Sequence, residues 1–185
     1  MKKSIALFAI AAGMVAAPAS VAAQTTAAQP FIGVSAGYHD LGVDTDGLSQ
    51  VAGIEINDGS PIIGVVGGVD FPVGERMFAG VEANYHFGTS VIDSEYGASL
   101  RLGMRDAGGA KYYLRGGYQQ VDIDLEKLVD ALVPVGSLAG VDDSTGDFLV
   151  GAGAEFPIGG AALRFNVDTV GFDSVRGTAG VLFSF

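Results

Sequence analysis

Apolar and polar residues alternate with a period of two along most of the chain after residue 30. In the segment 78–87, alanine, valine and aromatic residues alternate with Gly80, Glu82, Asn84 and His86. This alternation predicts β-strands that have one apolar and one polar face. Segments rich in Gly, Pro, Asp and Ser separate the alternating runs. The pattern predicts eight strands, at about 31–39, 62–71, 78–87, 96–105, 111–120, 147–156, 163–169 and 176–185.

The connections between these strands differ in length. Short connections are predicted at 72–76, 106–110 and 157–161, and they alternate with connections at 40–60, 88–95, 121–146 and 170–175. Short turns on one side and more variable loops on the other are typical of outer-membrane β-barrels. The strands are close to the roughly 9–11 residues that cross a bilayer when tilted. An even number of strands places both mature termini on the side of the short turns, which we predict to be periplasmic.

The N-terminus has the features of an export signal. Lys2 and Lys3 precede an apolar run from Ile5 to Val15, and small residues follow as far as Ala23. The run is too short for a membrane-spanning helix, which needs roughly 20 residues. We therefore predict a cleaved signal peptide at 1–23, a short lead at 24–30 and a single barrel domain at 31–185.

Two observations indicate which face of the barrel meets lipid. The polar faces are rich in glycine, which a narrow lumen explains better than a water-facing surface does. These glycines are Gly33, Gly37, Gly64, Gly68, Gly80, Gly97, Gly103, Gly117, Gly151, Gly153, Gly177 and Gly180. The apolar faces carry aromatic residues near both strand ends and aliphatic residues between them, as expected at two membrane interfaces. The predicted fold class is all-β: an eight-stranded antiparallel up-and-down transmembrane β-barrel preceded by the signal peptide.

The charge distribution fits this fold. The net charge is −11, which argues against nucleic acid as a partner because phosphate binding needs basic patches. A buried charge is costly unless it is paired, so the charges on the polar faces predict a connected network that fills the lumen or lines a pore. Its predicted members are Asp70, Glu82, Arg101, Arg105, Lys111, Arg115, Asp147, Glu155, Arg164, Asp168 and Arg176. The acidic excess lies in the predicted loops, and the absence of cysteine excludes disulfide bonds.

Several segments resemble a known family. They are Gly80-Val81-Glu82, Arg115-Gly116-Gly117-Tyr118, Gly151-Ala152-Gly153-Ala154-Glu155, residues 163–168 and residues 181–185. Together they resemble the small outer-membrane barrels of the opacity-protein type, which are relatives of the transmembrane domain of outer membrane protein A. The resemblance implies a bacterial outer-membrane location, contact with membrane lipid and lipopolysaccharide, and a C-terminal signal at Phe183 and Phe185 for the barrel-assembly machinery. It implies no particular activity.

Three functions are compatible with this pattern. The first is a structural or surface-interaction role, with a sealed lumen and with loops 40–60 and 121–146 available to an extracellular partner. The second is a narrow, weakly selective pore, because the same lumen charges could line a channel. The third and most remote is a lipid-modifying enzyme of the lipid A deacylase type. No serine follows His86 where that family's pattern needs one, so we assign no catalytic residue and predict no enzyme activity.

Two loop motifs have weaker interpretations. Asp44, Asp46 and Glu55 have the spacing of some calcium ligands, but Ser49 stands where a calcium loop needs glycine. We therefore predict neither a metal nor a cofactor. The apolar spacing in 125–132 predicts a short amphipathic helix, which would pack on the barrel rim or contact a partner.

Overall fold

The computed structural model describes residues 27–42, 59–90, 92–124 and 142–185. Every strand pairs antiparallel with its neighbours in the chain, and pairing of the first strand with the last closes a barrel. The predicted eight-stranded antiparallel barrel is therefore confirmed. Among the described residues, no helix is long and apolar enough to cross a bilayer. The strands are β1 (Gln29–Asp40), β2 (Gly59–Val73), β3 (Met77–Gly88), β4 (Ile92–Arg105), β5 (Lys111–Asp124), β6 (Asp142–Ile158), β7 (Ala161–Val170) and β8 (Ser174–Ser184).

Several strands are longer than the sequence predicts. β5 and β6 continue to Asp124 and from Asp142, and β4 begins at Ile92. Apolar side chains explain part of the extension, because Ile92 and Val121 are buried inside the barrel. The loops predicted at 88–95 and 121–146 are correspondingly shorter. The predicted signal peptide, the calcium-like motif and the predicted loop helix lie outside the described residues, and the last two residues of the predicted lead belong to β1.

The two ends of the barrel differ. At the turn end, where β1 begins and β8 ends, strands are joined by the short segments 74–76, 106–110 and 159–160. Gly74, Gly109 and Gly159 have positive φ angles there, which favour glycine because it lacks a Cβ atom. At the loop end, strands are joined by segments 41–58, 89–91, 125–141 and 171–173.

The outer surface of the barrel is apolar. Leu100 and Leu114 are more than 65% exposed, and aromatic side chains contact one another near both ends, including Tyr85 with Tyr96 and Tyr112 with Phe156. A continuous apolar surface of this kind is unfavourable in water and is the expected lipid-facing belt of a membrane barrel.

Glycine keeps the lumen narrow. A Cβ atom on Gly64 or Gly117 would overlap a backbone carbonyl oxygen of the adjacent strand, on Tyr85 and Ala98 respectively. The prediction that Gly177 also faces the lumen is wrong. Arg176 and Thr178, on either side of it, are buried, so the alternation places Gly177 on the outer face. A Cβ atom added to Gly177 would have nothing within 4 Å.

Candidate functional site: the charged lumen

The Glu82 carboxylate on β3 is the centre of the lumen charges. It accepts hydrogen bonds from Nη1 of Arg101 at 2.9 Å, of Arg115 at 2.8 Å and of Arg164 at 2.6 Å. These three arginines extend from β4, β5 and β7, so the contact with Arg164 crosses the lumen between strands that are not neighbours. Glu82 is only 4% exposed, and hydrogen bonds between charged groups are about twice as strong as neutral ones. The carboxylate thus links opposite walls of the barrel.

A second cluster of ion pairs lies toward the turn end. Glu155 Oε1 lies 2.7 Å from Arg164 Nη2 and also accepts a hydrogen bond from Arg101. Lys111 Nζ lies 2.6 Å from Asp70 Oδ2 and 3.6 Å from Glu155 Oε2. The Arg101 guanidinium also faces the rings of Tyr113, at 4.1 Å, and Phe31, at 4.8 Å. Charged and aromatic groups together fill this part of the lumen.

A third cluster lies toward the loop end. Arg176 contacts Asp168, with 3.0 Å between Nη2 and Oδ2, and it also contacts Glu95. Arg115 Nε lies 3.1 Å from Asp168 Oδ1, which connects this cluster to Glu82. The structure therefore joins nine of the eleven predicted charges with Glu95 in one connected set. This set, the lumen network, consists of Asp70, Glu82, Glu95, Arg101, Lys111, Arg115, Glu155, Arg164, Asp168 and Arg176.

Glu95 was not predicted to be a member of the network. The sequence pattern predicts a loop at this position, whereas the residue lies in β4 and is fully buried. The signal was present in the alternation: starting the strand one residue earlier puts Glu95 on the same face as Gly97 and Arg101. His39 and His86 both contact it, at 2.6 and 3.3 Å from their Nδ1 atoms.

Asp147 and Arg105 do not join the network, contrary to the prediction. Asp147 has the inward register but lies at the loop end, where its side chain is exposed and bonds the backbone nitrogen of Phe148. Arg105 is partly buried at the turn end, and no carboxylate among the described residues lies within salt-bridge distance of it. Asp147 lies beyond Leu149, the first residue of β6 that pairs with β7, and Arg105 is the last residue of β4.

A serine, a histidine and a carboxylate lie in line at the loop end. Ser174 Oγ is 3.3 Å from His39 Nε2, and His39 Nδ1 is 2.6 Å from Glu95 Oε2. A hydrolytic triad uses this order of groups, with the serine hydroxyl donating to the histidine. Here the Ser174 hydroxyl donates to the Val170 carbonyl at 2.8 Å, and all three side chains are buried. The three side chains connect β8, β1 and β4.

One small cavity lies within the described part of the lumen. A cavity of about 10 Å³ lies next to Glu82, which is about the room that a single water molecule requires. Among the described residues, no group of three or more His, Cys, Asp or Glu side chains is arranged to hold a metal ion. The cavity is lined by Ser35, Val66, Glu82, Asn84, His86, Arg115, Arg164, Asn166, Arg176 and Thr178.

The C-terminal residues lie at the turn end. Phe183 pairs with Ile32 on β1, and the Phe185 nitrogen donates to the Pro30 carbonyl at 3.1 Å. Both aromatic side chains are exposed on the barrel exterior. Their recognition by the barrel-assembly machinery stays a prediction.

Comparison with solved structures identifies the class of fold. The attachment invasion locus protein of Yersinia pestis, Ail, matches with a TM-score of 0.50 and 14% sequence identity, over 85% of this chain and 97% of Ail. Ail in complex with the heparin analogue sucrose octasulfate matches with a TM-score of 0.50 and 15% identity, over the same shares of the two chains. Neisserial surface protein A matches with a TM-score of 0.48 and 13% identity, over 86% of this chain and 100% of that chain.

These matches concern the fold. No protein-family model matches the sequence, and no curated protein sequence matches it. The chain has the fold of the small eight-stranded bacterial outer-membrane β-barrels. The family resemblance that the sequence motifs indicate is thus confirmed for the fold.

The position of Glu82 leads to a stability prediction. We expect Glu82→Gln to lower the free energy of unfolding by about 3 kcal/mol or more, because three buried guanidinium groups lose their shared charge. The measurement is urea unfolding of the refolded protein in lipid vesicles. Glu75→Gln is the matched control: Glu75 is exposed in a turn, and its substitution should change the stability by less than about 0.5 kcal/mol. Equal stabilities for the two variants would contradict the role given to Glu82.

Proposed function

We propose that this chain is an integral outer-membrane protein with a structural and surface-interaction role, and that its lumen is sealed by the lumen network. The observation that carries the proposal is the contact of Glu82 with Arg164 across the lumen. This ion pair lies across the lumen and, with the buried side chains packed around it, obstructs the path for water and ions. The fold shared with Ail supports the outer-membrane location.

Barrel size supports a sealed state as well. Eight strands enclose a space that side chains can fill, whereas barrels with aqueous channels usually have 16–18 strands. The glycines on the lumen face allow close approach of the strands, and arginine side chains occupy the remaining width. The cavity beside Glu82 is too small to hold a hydrated ion.

A narrow pore is the second candidate function. It is favoured by the large number of charged side chains in the lumen, which would determine the ion selectivity if the network opened. Arg101, Arg115, Glu82 and Glu155 would then line the path, since they lie in the centre and toward the turn end. Arg105 would lie at its mouth.

Conductance distinguishes the two functions. We expect no discrete current steps when the mature chain is inserted into planar bilayers, because cross-lumen ion pairs close the path. A double variant, Glu82→Ala with Arg164→Ala, removes both partners and should produce steps. The heat-dependent gel mobility of each sample shows whether the barrel is folded.

The control variant for the conductance measurement is Glu75→Ala, which should be as silent as the unaltered chain. Reproducible steps from the unaltered chain, of a size that changes with substitutions of Arg101 or Glu82, would contradict the sealed lumen. That result would make the lumen residues the selectivity site of a pore.

The loop end is the proposed extracellular surface, and the turn end with both mature termini is proposed to face the periplasm. The exposed charges described at the loop end are acidic, which favours a neutral or cationic partner surface over a polyanion such as the heparin analogue bound to Ail. These residues are Asp40, Asp93, Asp147 and Asp173. The loops within 40–60 and 121–146 are the proposed contact segments, and lipopolysaccharide is the proposed lipid around them.

Trypsin treatment of intact cells tests this orientation. Lys127 lies in the segment that joins β5 to β6 at the loop end, and Arg76 lies in a turn at the opposite end. We expect cleavage after Lys127 in intact cells, and further cleavage after Arg76 only once the outer membrane is permeabilised. Lys127→Gln is the control and should remain uncut in intact cells. Cleavage after Arg76 in intact cells would contradict the orientation.

The lipid-modifying enzyme remains the remote candidate, and its residues would be Ser174, His39 and Glu95. The bond from the Ser174 hydroxyl to the Val170 carbonyl disfavours this function, since the hydroxyl proton is not directed at His39. Burial of the serine also disfavours access by a lipid.

A further inference from the structure

Arg105 differs from the other lumen cations of the described barrel. Arg101, Lys111, Arg115, Arg164 and Arg176 each have a carboxylate within 4 Å. Arg105 has none among the described residues, and its Nε and Nη2 atoms are buried without a hydrogen-bond acceptor. Other charged side chains of the network have single unbonded atoms, but each of them also has an ion-pair partner. A buried donor without an acceptor is destabilising, so the Arg105 site favours any group that supplies one.

The surroundings of Arg105 define a cationic mouth at the turn end. Arg105 pairs in register with Lys111, and both cations lie beside the buried ring of Phe78, at 5.5 and 5.3 Å from its centroid. The Arg105 backbone nitrogen donates to the Arg76 carbonyl at 2.7 Å, so a third basic residue lies in the adjacent turn.

Two carboxylates near this mouth already have partners, and a third, Glu75, is exposed in the adjacent turn. Asp70 accepts a hydrogen bond from Lys111, and Asp106 Oδ1 accepts one from the Ala110 nitrogen at 2.8 Å. Neither carboxylate forms an ion pair with Arg105 in the described part of the chain. The positive charge of the guanidinium is therefore left for an external anion.

We propose that Arg105, with Lys111 beside it, forms a binding site for a phosphate oxyanion at the turn end of the lumen. A guanidinium presents its N–H groups as a planar fork that matches two oxygens of one phosphate. Because a guanidinium is weakly hydrated, an arginine can bind an anion at a partly buried position. Met104 and Tyr112 pair next to Arg105 and Lys111, and the exposed Tyr112 ring belongs to the outer aromatic belt. Because aromatic belts lie at the level of the lipid headgroups, the site lies at that level as well. The phosphate belongs either to a phospholipid headgroup or to a free phosphate ion.

The experiment compares two probes on the full mature chain, refolded in a nonionic maltoside detergent without phosphate. The first probe is sodium phosphate, measured against sodium chloride at equal ionic strength. The second is a short-chain phosphatidylglycerol, measured against the diacylglycerol of the same chain length. Each titration records the urea midpoint of unfolding and the NMR resonance of the Arg105 Nε–H group. A ligand that binds only the folded barrel raises the midpoint with its concentration.

We expect a saturable movement of the Arg105 resonance and a higher urea midpoint with phosphate-bearing probes. Arg105→Gln should abolish the rise in midpoint. The control Lys127→Gln, which removes one positive charge from the segment between β5 and β6, should retain it. A response to both probes identifies a free-phosphate site that also accepts headgroups, and a response to the lipid alone identifies a headgroup site.

Two results would overturn the proposal. One is an unchanged Arg105 resonance and midpoint with both probes. The other is an equal rise in midpoint for the unaltered chain and Arg105→Gln, which would show a general effect of the ion or the lipid. If Arg105→Gln does not refold, the resonance titration of the unaltered chain decides the question alone.

Discussion

Closure of the sheet by hydrogen bonding between β1 and β8 is the interaction on which the rest of the structure depends. A bilayer offers no water to bond the free edge of a sheet, so a membrane-spanning sheet must have no edge. Closure with only eight strands creates a narrow interior that is screened from lipid by the strands themselves. Every inward side chain then faces another inward side chain, and a charged one must find its partner there.

The lumen network is the consequence of that constraint. Five cations and five carboxylates are joined in it among the described residues, and Glu82 connects three of the cations. Because these side chains extend from strands on different sides, their ion pairs tie the walls of the barrel together as well as neutralising one another. Isolated ion pairs buried in this way are costly, and a connected set in which the charges share partners offsets the loss of hydration.

The alternation of residue types predicted much of this architecture. It placed Arg101 inward and its neighbours Leu100 and Leu102 outward, as the structure has them, because a strand turns successive side chains to opposite faces. It could not predict which strands face one another across the lumen, since this depends on the stagger of a closed barrel and on the reach of long side chains. Glu95 was missed because β4 begins at Ile92, within the segment 88–95 that the sequence pattern predicts to be a loop.

Two charged residues that were predicted to face inward do not join the network. Asp147 has the right register but lies where the strand has left the closed part of the lumen, and Arg105 lies at the opposite mouth. Alternation gives the face of a residue but not its height along the barrel relative to its partners. Pairing in the lumen needs both, and only the three-dimensional structure provides the second.

A double-mutant cycle on Glu82 and Arg164 tests the central claim most directly, because these residues lie on β3 and β7 and are joined only across the lumen. The free energy of unfolding is measured for Glu82→Gln, for Arg164→Met and for the double variant. If the contact links the two walls, the double variant is less destabilised than the sum of the two single variants, by about 1 kcal/mol or more. Additive effects of the two substitutions would show that the side chains act independently and would contradict the account.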